Sequence, residues 1–102
     1  MNNEELELSI LRSVDKMTTQ KSIADELGYS VGKINYILKA LTQKGLLKVE
    51  NFYNSQNKRQ YKYLLTPKGI EEKISLTQKF IQLKKEEYET LQNELEMIQE
   101  KI

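Results

Sequence analysis

The punctuation of this chain constrains its fold more than anything else. The one proline is Pro67, and the four glycines are Gly28, Gly32, Gly45 and Gly69. From Pro67 to Ile102 nothing but Gly69, near the start, interrupts a helix-compatible run, which predicts a single helix roughly 50 Å long at ~1.5 Å per residue. Ahead of that run, Gly28 and Gly45 mark off three short helices within the first forty-five residues. The first spans residues 4–17, with Leu6, Ile10, Val14 and Met17 at helical spacing, Leu11 alongside and Asn3 as N-cap. Thr18 and Thr19 offer hydroxyl caps to a second helix that carries Ile23, Ala24 and Leu27, and Gly28 follows where a left-handed stop is wanted. Ser30 caps a third, with Ile34, Ile37, Leu38 and Leu41 as its apolar face and Gly45 closing it.

Beyond Gly45 the period changes. Leu47, Val49 and Asn51 alternate with Lys48, Glu50 and Phe52, and Tyr61–Leu65 is a second β-rich run. The polar stretch Asn54-Ser55-Gln56-Asn57-Lys58-Arg59 between them makes a hairpin, with Lys58 and Arg59 expected near its tip. Thr66-Pro67 then reads as a cap followed by proline at the first helical position, where its missing N–H does no harm.

Within the last helix, Ile74, Ile81, Tyr88, Leu95 and Ile102 are spaced by sevens, and Leu91 and Ile98 fill the intermediate positions. That is a narrow heptad seam. In the first half the intermediate positions are Thr77 and Lys84, while Leu76, Phe80 and Leu83 widen the apolar face. The helix is expected to pack on the preceding domain first and on a partner helix later.

Composition narrows the chemistry. The chain has no Cys and no His, so disulfides, thiol nucleophiles, zinc fingers and histidine-based triads are excluded. An enzyme is not expected, nor a metal or other cofactor. No window approaches the ~18 uninterrupted apolar residues of a membrane span. The first fifteen residues hold four acids and no signal-like apolar core, so the expected compartment is the cytoplasm. The net charge of +1 conceals an asymmetry: −3 over residues 1–15, +7 over 16–68 and −3 over 71–102. A basic middle between acidic ends points to a polyanionic partner for the middle.

Three helices, a hairpin and a helix follow one another in the order of a winged helix. Gln20, Ala24, Gly28, Ser30, Ile34 and Ile37 fall where a helix-turn-helix wants them: Ala24 small at the crossing, Gly28 in the turn, Ser30 as cap, and the two isoleucines buried. The outward positions of the third helix are then Lys33, Asn35, Tyr36, Lys39 and Gln43, with Val31 and Gly32 at its N-terminal end. Asn can bond adenine, and Lys can reach guanine or phosphate. Tyr36 can meet a thymine methyl or a phosphate. Lys58 and Arg59 are candidates for phosphate or minor-groove contact.

The helix-turn-helix, the run Leu41 to Leu47 with Lys44-Gly45 inside it, and Leu65-Thr66-Pro67-Lys68-Gly69 resemble the MarR-type winged-helix regulators. Gly32-Lys33-Ile34-Asn35-Tyr36, Lys39-Ala40-Leu41, Asn51-Phe52 through Asn57-Lys58, and Tyr63-Leu64-Leu65-Thr66-Pro67 are similar to the short, exopolysaccharide (EPS)-associated members, a likeness that covers nearly the whole chain. The resemblance implies a dimeric transcriptional regulator with the third helix in the major groove. Carried over by position, Ser30, Lys33, Asn35, Tyr36, Lys39, Lys58 and Arg59 would contact DNA. The chain is shorter than full-length members and lacks their extra N-terminal helix, so no effector is predicted.

The expected protein is therefore mainly α with a small β-hairpin. A winged helix-turn-helix for DNA (1–68) precedes a coiled-coil-like dimerisation helix (69–102). Its seam is Ile81, Tyr88, Leu91, Leu95, Ile98 and Ile102, and its partners are double-stranded DNA with a palindromic operator and a second copy of itself. The alternative is a winged helix used for protein contact, with a partner chain on the last helix.

Overall fold

The computed structural model describes residues 3–16 and 19–102. Its elements are α1 (Asn3–Lys16), α2 (Gln20–Leu27), α3 (Val31–Gln43), β1 (Leu47–Tyr53), β2 (Arg59–Leu65) and α4 (Pro67–Glu100). Met17 and Thr18, read above as the end of the first helix and a cap, lie outside the described residues. Asn3 is itself helical rather than a cap outside the helix.

The local chemistry of the breakers is realised closely. The Thr19 hydroxyl caps α2 by accepting from the Ser22 N–H at 3.2 Å, and Ser30 does the same for α3 with the Lys33 N–H at 3.1 Å. Gly28 and Gly45 both sit in the left-handed region, at φ 74° and 79°, where a side chain is strained. Each helix end is closed in the same way: the Tyr29 N–H reaches back to the Ala24 carbonyl, and the Leu46 N–H to that of Leu41.

The core forms where α1, α2 and α3 meet the base of the hairpin. Leu6, Ile10, Leu11, Val14, Ile23, Ala24, Ile34, Leu38 and Leu41 are buried together with Leu46, Leu47, Tyr63 and Leu76, and Ile37 is half-buried at its edge. β1 and β2 are antiparallel, in a register that pairs Leu47 with Leu65, Val49 with Tyr63, Asn51 with Tyr61 and Tyr53 with Arg59. Only the base of the hairpin is anchored in the core, and the rest projects as a wing.

Helix α4 is capped by one side-chain contact at its start and docked by two. Thr66 accepts from the Gly69 N–H and donates its hydroxyl proton to the Gly45 carbonyl, and the Lys68 ammonium reaches the Lys44 carbonyl. A Cβ on Gly69 would stand 2.0 Å from the Leu46 carbonyl oxygen, so this first turn lies against backbone at a distance only glycine permits. Lys73 and Lys79 pair with Asp15 and Glu4 of α1, while Leu76 and Phe80 complete the core. Leu83, expected to pack inward with them, is exposed, because α4 has by then passed the end of its contact with α1. From residue 81 onward every residue is exposed, and the molecule measures 68 × 25 × 20 Å.

Candidate nucleic-acid interface

The sequence of α3 sorts its side chains around the helix at about 100° per residue. With Ile34, Leu38 and Leu41 buried, Gly32, Tyr36, Lys39 and Gln43 lie on the opposite side and are exposed. Tyr36 is 76% exposed, although it sits in the middle of a helix whose other face is core. Nothing lies within 4 Å of where a Cβ on Gly32 would stand, so the backbone of this first turn is open to a close partner. Gln20 steadies the same turn by donating from its side-chain amide to the Val31 carbonyl at 3.3 Å.

Lys33 and Asn35 occupy opposite flanks. The Lys33 ammonium stands 5.0 Å from the centre of the Tyr29 ring, a cation–π contact that holds the charge beside the helix start. Asn35 is half-buried and faces the wing. With Gln20, Lys39 and Gln43 it lines one side of a groove of about 490 Å³ whose other side is Val49, Tyr61 and Tyr63. Burial, followed by the neighbouring Tyr61, pushes the Tyr63 phenol above its ordinary value.

On the wing, residues two apart share a face. Arg59, Tyr61 and Tyr63 lie on the side of β2 that looks across at α3, opposite Tyr53, Asn51 and Val49 of β1. Arg59 is therefore not at the loop tip. It begins β2, paired with Tyr53, and its guanidinium lies 5.8 Å from the Tyr61 ring centre. The physical reason is a tighter turn than the polar stretch suggested. The Asn54 side-chain oxygen accepts from the N–H groups of Gln56 and Lys58, and Asn57 takes a positive φ of 59°. The strands close immediately after Lys58, whose side chain remains exposed at the end of the turn.

The structure thus brings Asn35 and Lys39 to a shared groove with Tyr61. It sets Ser30, Lys33 and Tyr36 around the exposed end and face of α3, and Lys58 and Arg59 along the wing. Tyr61, Tyr53 and Gln20 belong to the same surface and were not among the expected contacts. The signal for Tyr61 was the parity of the β2 run, which places it on one face with Arg59, and Tyr53 joins that face through its cross-strand pairing with Arg59. The seam residues Ile81, Tyr88, Leu91, Leu95, Ile98 and Ile102 are all exposed, far from this surface on the projecting part of α4 and just past its end. Among the described residues no helix is long and apolar enough to cross a membrane.

Residues 5–48 match the family of winged helix-turn-helix DNA-binding sequences. No curated protein matches the chain by sequence. Among solved structures, the chain superposes on MarR of Staphylococcus aureus, in complex with salicylate and kanamycin, with a TM-score of 0.64 at 26% identity, covering 82% of this chain and 56% of that one. A complex of S. aureus MepR with DNA gives a TM-score of 0.63 at 21% identity, over 96% and 75% of the two chains. The PcaV transcriptional regulator of Streptomyces coelicolor, with its natural ligand, gives 0.65 at 16% identity, over 82% and 58%. The chain spans a little over half the length of the S. aureus MarR chain it matches.

Proposed function

We propose that this chain, whose fold is the winged helix-turn-helix of the MarR-type regulators, is a sequence-specific DNA-binding transcriptional regulator that works as a homodimer. The observation that carries the reading is the pairing of an exposed polar face on a buried-backed helix with a cationic, aromatic wing across one groove. In this reading Lys33, Lys39, Lys58 and Arg59 meet phosphates or guanine, and Asn35 and Tyr36 read base edges. Ser30 fixes the start of α3, and Tyr61 holds Arg59 toward the duplex. Residues 1–68 do the reading and residues 69–102 the pairing, with the first turns of α4 built into the reading unit. The DNA-bound state of MepR, a protein of the same fold, supports the docking. The narrower resemblance to EPS-associated members makes exopolysaccharide biosynthesis genes the first place to look for operators.

Selection from a random duplex library at near-physiological salt tests this. The expected result is an enriched palindrome with half-sites about one helical turn (~10 bp) apart. Asn35→Ala is expected to relax base preference while leaving non-specific affinity, and unchanged selectivity in competition would remove Asn35 from the readout. The exposed apolar seam favours a second reading, a winged helix that serves protein contact with a partner helix on α4. Salt separates the two, because affinity through several phosphates falls steeply between low and moderate salt and an apolar seam does not.

A further inference from the structure

Helix α4 is electrically polarised along its length. Residues 73–85 carry Lys73, Lys79, Lys84 and Lys85 and no acid, whereas residues 86–100 carry six glutamates and no cation. The basic half lies beside α1, and between them runs an open groove of about 890 Å³ with Leu8, Phe80, Ile81 and Tyr88 among its apolar lining. Arg12 and Lys16 of α1 add two cations to its walls, against the carboxylates of Asp15 and Glu89. Lys73 is already paired with Asp15, and Lys84 lies 3.5 Å from Glu87. The acidic half presents Leu91, Leu95 and Ile98 on an exposed stripe.

We infer that two copies of α4 pair antiparallel, each laying the acidic half of its helix into the basic α1–α4 groove of the other. This rests on the self-pairing proposed above and assigns its direction and its seat. Two features decide the direction. Parallel pairing would set the lysines of one copy beside those of the other and the glutamates beside glutamates, whereas antiparallel pairing sets each against its opposite. Lys84 also occupies an intermediate heptad position, where a parallel, in-register pair would face Lys84 with Lys84 across the seam. Antiparallel pairing faces it instead with one of the partner's sevenfold positions, which are all Ile, Leu or Tyr. The apolar stripe of the acidic half covers Leu8, Phe80 and Ile81, surface that one copy alone leaves open.

The chain has no cysteine, so Gln99→Cys provides a unique spin-label site in the full-length protein. Antiparallel pairing predicts a label–label distance of roughly 30–40 Å, because the two positions lie on opposite sides of the pairing centre. A distance below about 20 Å, from neighbouring helices running the same way, would overturn the inference while leaving self-pairing intact. A monomer at all concentrations would overturn the self-pairing itself. Charge reversal gives a second readout. A variant with Arg12→Glu and Lys16→Glu, and another with Glu94→Lys and Glu96→Lys, are each expected to dimerise about tenfold more weakly alone. Mixed, they are expected to recover wild-type affinity, since both grooves then meet a helix of opposite sign. Absence of recovery would refute the seat in the groove.

Discussion

The head of the molecule and the distal half of α4 are built from the same kinds of residue and end in opposite states. In the head, Ile10, Leu11, Ile23, Ile34, Leu38 and Leu47 are fully buried. Beyond residue 80, Ile81, Leu91, Leu95 and Ile98 are all exposed, at a comparable density of apolar side chains. The difference lies in the number of faces to be covered. Three short helices and a hairpin base enclose one another, whereas a lone helix with a stripe on one side cannot cover itself. The head closes a core of its own, and the rod leaves its apolar stripe open.

Leu38→Ala is expected to cost about 2–5 kcal/mol, seen as a lower melting temperature, because the cavity opens where α3 crosses the core. A loss below about 1 kcal/mol would mean that the core collapses around the site and is less closed than its burial indicates. In the rod, Leu95→Lys is expected to abolish dimerisation while leaving the melting of the head unchanged at concentrations where the wild type is monomeric. A variant still dimeric by analytical ultracentrifugation would show that the stripe is not the interface.

The smallest effect sharpens the border between the two regions. Glu7 on α1 is pushed above its ordinary value of 4.5, first by burial and then by Glu72 and Glu4, with Lys44 opposing. A carboxyl raised in this way favours the fold when protonated, and that contribution is lost as pH rises through its folded range. Glu7→Gln is therefore expected to match the wild type at acid pH and to gain a small margin in stability as pH rises past the carboxylate range. An identical melting temperature at neutral pH would show that Lys44 and solvent fully offset the burial.

What could be read in the chain was what short-range chemistry controls. Thr19, Ser30 and Thr66 cap helices, and Gly28 and Gly45 stop them, because a cap or a left-handed turn is decided within a few residues. The helix-turn-helix was legible for the same reason, each of its signature positions answering to a local constraint. The placement of the candidate contact residues was legible on α3 and less so on the wing. Whether Arg59 belonged to loop or strand depended on how Asn54 folded its own turn, and a polar run in a sequence does not show where the strands resume. Long-range contacts were the least visible. Gly69 reads as an ordinary helix breaker until the Leu46 carbonyl, distant in sequence, is placed against it. Leu83 carries the same apolar signal as Phe80, and only the length of α1 decides that one is covered and the other is not.

The length of α4 gives the proposed dimer a ruler. If two copies pair along α4 as proposed, they settle only where stripe meets stripe, so their offset changes in steps of one heptad, about 10.5 Å. Along a duplex with one base pair per ~3.4 Å, each step corresponds to about three base pairs. In the proposed dimer each α3 is tied to its own α4 where Gly69 packs against the Leu46 backbone. On the proposed reading, the gap between half-sites that such a pair tolerates is a graduated quantity. Removing seven residues from the exposed part of the rod would select operators of a different spacing while leaving the letters of each half-site unchanged.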